Sequence, residues 1–235
     1  MSVPPSVEPR PFRVATWNVH GFIGEGRRPD PDRTLRLIEA IDPDVIALQE
    51  VDGRARLGRL PRAFERLGSS LGDHFVPAPL FGRPGEEYGI ALWSRHAIAR
   101  VVVHKLPGPG IEPRAAIDAT IQTPMGDLRV VATHFGLNPR GRKAQAAVLA
   151  SIVDPSEAAI VMGDFNEWRS DGAVHRTLVA ALPTQAAGVT WPVRRPMFGL
   201  DRIYASRSVG IQGAGSFRQA APASDHLPLV ADIAF

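Results

Sequence analysis

The sequence predicts an α/β fold in which two mixed β-sheets pack face to face and helices cover their outer surfaces. One observation is the order of elements, because an early strand, helix and strand precede a run of strands without intervening helices. Another is the pair of strand-like segments at residues 115–123 and 128–133. A turn predicted at Gly126-Asp127 joins them as an antiparallel hairpin, which a purely parallel, doubly wound sheet would not contain.

Each predicted strand is a short apolar run bounded by glycine, proline or polar residues. The strands are residues 12–19, 45–50, 89–93, 99–106, 115–123, 128–133, 159–164, 200–205 and 227–233, and the helices are residues 32–41, 61–71, 139–153 and 171–181. The first helix has an apolar stripe at Leu35, Ile38 and Ile41 and ends before Pro43. Loops rich in glycine and proline, at 21–31, 82–87 and 108–113, are expected to border a substrate groove.

The chain of 235 residues is long enough for a substantial core, and no linker or repeat divides it. Residues 1–11 are rich in proline and polar residues, which predicts a disordered N-terminal lead before a single domain at residues 12–235. No stretch approaches the roughly 20 apolar residues of a membrane helix, so we expect no membrane insertion. A cytoplasmic monomer is the expected state.

Composition excludes several kinds of chemistry. Cysteine is absent, which rules out disulfides, thiolate metal sites and a cysteine nucleophile. The sequence also has no glycine-rich phosphate loop, serine elbow or dinucleotide fingerprint. The pI is about 9.9, but the formal net charge is only +3 and no dense basic run occurs. Binding to nucleic acid is therefore permitted but not indicated.

Polar side chains suited to metal binding or acid–base chemistry lie at the ends of the predicted buried strands. Asp164 and Asn166 follow one such strand two residues apart, so an extended backbone directs both to the same face. The other side chains of this kind are Asn18, Glu50, His134, Asp225 and His226. We predict that they meet in one catalytic bowl, and we interpret the other histidines, including His20, as structural.

Two of these residues suit a hard cation. The carboxylate of Glu50 and the amide of Asn18 supply oxygen ligands of the kind that Mg²⁺ or Mn²⁺ prefers. Zinc is less favoured, because no short helical histidine pair is present. Taken singly, Glu50 would fit a solvent-facing strand end better than a metal site, and Asn18 would fit an ordinary turn better still.

Asp164 suits a general base that takes a proton from water, with the amide of Asn166 as a positioner. The alternative for this pair is an Asx-turn at the strand end. For His226, the candidate partner is Asp201, whose carboxylate would favour a charged imidazolium beside a phosphate. The alternative for Asp201 is a surface salt bridge with Arg202.

His134 and Arg114 suit contacts with a phosphate. The imidazole can donate a hydrogen bond to a phosphoryl or leaving oxygen, and the guanidinium can bind phosphate oxygens bidentately. A structural histidine and a solvated surface arginine are the respective alternatives.

With these residues laid out, residues 13–235 resemble the endonuclease/exonuclease/phosphatase superfamily, which has the deoxyribonuclease I-like fold, and small bacterial members in particular. The motifs that carry the resemblance occur in family order: Trp17-Asn18, Leu48-Gln49-Glu50, Thr133-His134, Gly163-Asp164-Phe165-Asn166, Leu200-Asp201-Arg202-Ile203 and Ser224-Asp225-His226-Leu227-Pro228. The resemblance implies a four-layer α/β/β/α sandwich and Mg²⁺-dependent hydrolysis of phosphoesters, with Mn²⁺ as a substitute.

Roles for individual residues are also implied by the resemblance. Glu50 would be the principal metal ligand, with Asn18 close to the ion and Asp225 as a second ligand. Asp164 would activate water and Asn166 would contact phosphate, while His226, supported by Asp201, would stabilise the transition state. His134 and Arg114 match positions that contact the scissile phosphate.

The substrate stays open at this point, because the fold hosts several substrate classes. Our first hypothesis is hydrolysis of a phosphodiester or phosphomonoester that is small or derived from a lipid head group. A nuclease acting on DNA or RNA is the first alternative, although repair enzymes of the exonuclease III type usually carry another residue at the position of His134. A non-catalytic phosphate-binding module is the second.

Overall fold

The computed structural model describes residues 10–235, so residues 1–9 of the predicted N-terminal lead lie outside the described residues. Arg10 is already in contact with the body of the protein, since its Nη2 lies 2.6 Å from Oδ1 of Asp44. The contacts of the fold therefore include Arg10, which lies two residues before the predicted domain start at residue 12.

Twelve strands and four α-helices make up the described chain. The strands are β1 (Phe12–Asn18), β2 (Val45–Asp52), β3 (Phe75–Arg83), β4 (Glu86–Ser94), β5 (Ile98–Leu106), β6 (Arg114–Thr123), β7 (Gly126–His134), β8 (Ala159–Asp164), β9 (Thr184–Ala187), β10 (Asp201–Ala205), β11 (Gly210–Ser216) and β12 (Leu229–Ala234). The helices are α1 (Pro31–Ile41), α2 (Ala63–Leu71), α3 (Pro139–Ile152) and α4 (Ala173–Ala181).

The strands form two six-stranded sheets, in the orders β11-β12-β1-β2-β4-β3 and β5-β6-β7-β8-β10-β9. Each sheet is mixed, with one parallel pair near its centre, β1–β2 in the first and β7–β8 in the second. The remaining neighbours are antiparallel. The predicted class of two packed mixed sheets is confirmed.

Successive side chains along each strand point to opposite faces of its sheet, and this alternation builds four layers. In β1, Val14 points into an apolar cluster between the sheets, whereas its neighbour Ala15 joins a cluster beneath α1 and α2. A third cluster packs α3 and α4, through residues such as Leu149 and Leu178, against the outer face of the second sheet. The order is therefore helices, sheet, sheet, helices.

Two local predictions are wrong. Thr123 pairs with Gly126, so the β6–β7 turn is residues 124–125 rather than Gly126-Asp127. Most of the predicted loop at 82–87 belongs to strands, since β3 runs to Arg83 and β4 begins at Glu86. Among the described residues, no helix is long and apolar enough to cross a membrane.

The topology brings the chemically interesting residues to one end of both sheets. Asn18 and Glu50 lie at or near the carboxyl ends of the parallel strands β1 and β2, and His134 and Asp164 end β7 and β8. Asp201 begins the antiparallel strand β10 and pairs in register with Asp164. One edge of the sandwich therefore carries side chains from both sheets.

Candidate active site

Glu50 lies at an irregularity in β2 rather than at its end. The register with β4 shifts between Leu48 and Val51, and Glu50 adopts a φ of 55°. Such a bulge re-aims a side chain, and a left-handed backbone in a residue other than glycine is strained unless its surroundings hold it. The prediction that β2 ends at Glu50 is wrong, but the bulge still directs the carboxylate into the bowl.

The amide of Asn18 connects the two sheets at the site. Its Nδ2 donates to Oε1 of Glu50 at 2.9 Å and to Oδ2 of Asp164 at 3.0 Å. Its Oδ1 accepts the backbone N–H of His20 at 3.0 Å, which fixes the direction of the amide. In this arrangement Asn18 presents its N–H groups, not its oxygen, to the two carboxylates.

His20, interpreted from the sequence as structural, belongs to the site. Its Nδ1 lies 3.4 Å from Oε2 of Glu50 and 3.6 Å from Oδ1 of Asp225. The hydrogen bond to Glu50 raises the pKa of His20. Burial by itself would raise the pKa of Glu50, but the hydrogen bond from His20, the nearby His134 and the amide of Asn18 lower it well below its usual range. His20 is two positions after Asn18, and this proximity is the sequence signal that could have identified it.

Asp164 is buried and serves two purposes at once. Its Oδ1 accepts the backbone N–H of Asn166 at 2.9 Å, so the Asx-turn considered as an alternative is present. Its Oδ2 faces the bowl, at 3.6 Å from Nε2 of His134 and 3.9 Å from Nε2 of His226. Burial and the charge of Asp201 raise the pKa of Asp164.

The structure brings His226 and Asp201 together. Nδ1 of His226 lies 2.9 Å from Oδ2 of Asp201, and both side chains are buried. Burial alone would lower the pKa of His226, but the charge and hydrogen bond of Asp201 outweigh it and raise this pKa. The pair therefore favours an imidazolium whose free Nε2 points towards Asp164.

His134 differs from His226 in its protonation. Burial and the charge of Arg114 lower the pKa of His134 to about 3, so this imidazole is neutral near pH 7. Its Nε2 lies 3.2 Å from Nδ2 of Asn166, whose amide also donates to the carbonyl of Phe135 at 2.9 Å. Asn166 has a φ of 52°, another strained backbone at the site.

Arg114 is almost fully buried, which excludes the solvated surface arginine considered as an alternative. Its Nη2 donates to Glu112 at 3.0 Å, and its Nη1 donates to the hydroxyl of Tyr88 at 3.3 Å. Burial, and then the charge of Glu50, raises the pKa of Tyr88. Tyr88 therefore contacts Arg114 and is also within range of the charge of Glu50, a role that no sequence pattern indicated.

The donors at the open side of the bowl fit a hard divalent cation. The side chains of Glu50 and Asp225 are 24% and 44% exposed, and one imidazole nitrogen lies between their oxygens. Asp164, Asp201 and His226 also offer ligand atoms within 4.8 Å of one another. That second group is buried and its histidine is already bonded to Asp201, which leaves less room for a cation that retains several waters.

At the joined edge of the two mixed sheets, three residues with left-handed backbones, His20, Glu50 and Asn166, lie beside the buried Asp201–His226 pair. The architecture that brings them together is the deoxyribonuclease I-like fold. The chain belongs to the endonuclease/exonuclease/phosphatase family, whose model matches residues 15–226. Members of this family are generally hydrolases that act on phosphate esters, and they include nucleases and phosphatases.

Relatives of known sequence or structure agree with this assignment. The chain is 31% identical to the protein YbhP of Escherichia coli strain K12, over 94% of this chain and 96% of that one. An endonuclease/exonuclease/phosphatase from Beutenbergia cavernae superposes with a TM-score of 0.76 at 25% identity, covering 96% of this chain and 72% of that one. The mannosyl-6-phosphatase Bt3783 of Bacteroides thetaiotaomicron shares the fold, with a TM-score of 0.74 at 14% identity. The match covers 95% of this chain and 100% of that one.

Proposed function

We propose that this protein is a Mg²⁺-dependent phosphoesterase, for which Mn²⁺ can substitute. The observation that carries the proposal is the Asn18 amide, which holds Glu50 and Asp164 within one hydrogen-bond network. A carboxylate suited to a cation and a carboxylate suited to proton transfer are thereby fixed beside each other. This juxtaposition is what metal-assisted attack of water on phosphorus requires.

Glu50 would be the principal ligand of the cation and Asp225 a second ligand, with Asn18 as the residue that orients Glu50. Trp191 supports Asp225, because its Nε1 lies 3.4 Å from Oδ2 of that carboxylate. When bound, Mg²⁺ polarises a phosphoryl oxygen and neutralises charge that develops on it. His20 would have to release the two carboxylates for both of them to bind an ion, since its Nδ1 lies between them.

Asp164 accepts a proton from the attacking water. Its raised pKa makes it a stronger base than an ordinary aspartate, and Asn18 and Asn166 hold its two oxygens in place. His226 donates a hydrogen bond from Nε2 to a phosphoryl oxygen, because Asp201 keeps the imidazole protonated.

The remaining phosphate contacts come from Asn166, His134 and Arg114. The neutral His134 and the amide of Asn166 lie side by side, so they can orient the phosphoryl group without adding charge. The guanidinium of Arg114 is held by Tyr88 and Glu112, which prevents it from swinging out into solvent.

A panel of phosphoesters tests this function. The purified protein is assayed with bis-p-nitrophenyl phosphate, p-nitrophenyl phosphate, supercoiled plasmid, RNA and phospholipid, each with Mg²⁺, Mn²⁺, Ca²⁺ or chelator. We expect hydrolysis of at least one ester with Mg²⁺ or Mn²⁺ and none with chelator. Plasmid nicking abolished in Asp164→Ala would favour the nuclease. No turnover of any ester would leave a non-catalytic phosphate-binding module.

Replacement of Glu50 by glutamine should weaken Mg²⁺ binding by at least about tenfold, because it removes the charge from the principal ligand. Affinity is measured from the Mg²⁺ concentration that gives half-maximal activity and by calorimetric titration. Glu65→Gln removes the same charge from the exposed surface and serves as the control. Equal Mg²⁺ affinity in both variants would show that Glu50 is not a ligand, and an unfolded Glu50→Gln would show that it is structural.

Asp201 is a positioning residue, and its role is visible in the pH profile. The charge of Asp201 raises the pKa of His226, so Asp201→Asn lowers this pKa. Activity requires protonated His226. The loss of activity at high pH should therefore begin about one pH unit or more lower in the variant than in the wild type. The measurement is kcat/KM between pH 5 and 10, with the surface variant Asp73→Asn as control. A lower rate with an unshifted alkaline limb would contradict this role.

A further inference from the structure

The most exposed large apolar side chains of the described residues lie around the mouth of the bowl. They are Ile111 at 102% exposure, Leu137 at 75%, Trp168 at 59% and Met197 at 58%. Leu57, at 53%, follows on the loop after β2, the strand that carries Glu50. Apolar side chains scattered over a surface are ordinary, but a concentration around one opening indicates an interaction surface.

Four loops carry Ile111, Leu137, Trp168 and Met197, and each loop is continuous with a site residue. Residues 107–113 lead into Arg114, 135–138 follow His134, 165–171 follow Asp164, and 190–200 lead into Asp201. We refer to these four loops as the rim. The apolar side chains of the rim therefore surround the candidate phosphate site rather than a remote face.

Contacts between neighbouring loops show that the rim is continuous. Gln145 connects the first two loops, because its Nε2 donates to the carbonyl of Pro107 and its Oε1 accepts the N–H of Gly136. Arg142 connects the second and third, since its Nη1 donates to the carbonyl of Leu137 and its Nη2 lies 3.7 Å from Glu167. The rings of Trp168 and Phe198, with centroids 6.0 Å apart, join the third to the fourth.

Exposed arginines accompany the apolar tips. Arg194 and Arg195 lie on the fourth loop, and Arg140 follows the second. Within residues 10–235, none of the three has a carboxylate oxygen within 4.0 Å. The three acidic groups on the first and third loops are engaged, since Glu112 pairs with Arg114, Glu167 with Arg142 and Asp171 with Arg169. The rim therefore combines apolar tips with uncompensated positive charge.

We propose that the rim docks on the surface of an anionic phospholipid bilayer. Apolar side chains on separate loop tips can enter the boundary between head groups and acyl chains together, while the arginines contact lipid phosphates. A single-stranded nucleic acid would instead favour a series of aromatic platforms, whereas Trp168 is the one aromatic residue among the four exposed tips. A docked bilayer faces the mouth of the bowl, so the substrate is a phosphoester of a lipid head group, an assignment that rests on the proposed function.

The test is flotation of the full chain with vesicles. Vesicles of equal parts phosphatidylglycerol and phosphatidylcholine are compared with phosphatidylcholine alone, and tryptophan emission is recorded in parallel. We expect binding to the anionic vesicles with a blue shift that is absent in Trp168→Phe. Binding to phosphatidylcholine should be weaker by roughly fivefold for each arginine that contacts the surface.

The double variant Ile111→Asn/Leu137→Asn should bind anionic vesicles at least about tenfold more weakly, because both side chains leave water on docking. Met125→Asn is the matched control, since Met125 is also exposed but lies in the turn at the opposite end of β6 and β7. Both changes are at exposed positions, so neither should disturb folding.

Equal vesicle binding by the double variant and the control would overturn the proposal. Failure of the wild type to bind anionic vesicles would also overturn it. The same holds if the double variant keeps its binding to vesicles but loses binding to a single-stranded oligonucleotide. Wild-type hydrolysis of soluble bis-p-nitrophenyl phosphate separates the two claims. Hydrolysis without vesicle binding would support the proposed function and contradict the docking surface. Vesicle binding without hydrolysis would support the docking surface and contradict the proposed function.

Discussion

Replacement of Asp164 by asparagine should lower kcat/KM by about 10³- to 10⁴-fold, because it removes the base that accepts the proton of water. Asparagine retains an acceptor for the N–H of Asn166, so the turn after β8 is preserved. The measurement is hydrolysis of bis-p-nitrophenyl phosphate at saturating Mg²⁺, converted to a change in activation free energy.

The same variant should have a stability close to that of the wild type. Burial and the charge of Asp201 raise the pKa of Asp164, so above its ordinary pKa the ionised group opposes folding. Asparagine removes that unfavourable charge but also loses the acceptor that Oδ2 offers to Nδ2 of Asn18, so the two effects on the melting temperature at pH 8 offset each other. Asp127→Asn, at the exposed start of β7, controls for loss of one carboxylate. Activity within about tenfold of wild type would contradict the role of Asp164 as the base, and a variant that no longer folds would show that its carboxylate is structural.

Replacement of His226 by glutamine should lower kcat by about 10²- to 10³-fold with little change in KM. The reason is that the imidazolium donates to charge that develops only in the transition state. Glutamine can still donate a hydrogen bond to Asp201 but carries no charge. Steady-state kinetics with bis-p-nitrophenyl phosphate separate kcat from KM, and His74→Gln serves as the control. A large rise in KM with unchanged kcat would show that His226 only binds the ground state.

The strands that the sequence predicted are those with a buried face. Central strands such as β1, β2, β7 and β8 are apolar runs, and their predicted ranges agree with the structure to within a few residues. Three missed strands, β3, β9 and β11, all lie at sheet edges. Edge strands are exposed and tolerate proline and glycine, as at Pro77, Pro79 and Gly213, so their sequences lack the pattern that identifies buried strands.

For the site, the sequence could identify residues that lie at the ends of apolar runs. Asp164, His134 and His226 are of this kind. In the structure, Nε2 of each histidine lies within 4 Å of Oδ2 of Asp164. Tyr88 escaped because its role depends on a contact across the bowl, to Arg114, that no local pattern encodes. For His20 the only signal was its position two residues after Asn18, and its contact with Asp225 is also long-range. The bulge at Glu50 also depends on pairing with β4, a long-range property.

The central claim is that Glu50 and Asp225 hold one divalent cation beside Asp164 and His226. Crystals of the protein grown with Mn²⁺ and measured for anomalous scattering test it most directly. We predict one strong peak about 2.0–2.3 Å from a carboxylate oxygen of Glu50, absent from crystals of Glu50→Gln. A peak among Asp164, Asp201 and His226 alone, or no peak at the bowl in Mn²⁺-saturated crystals, would contradict the claim.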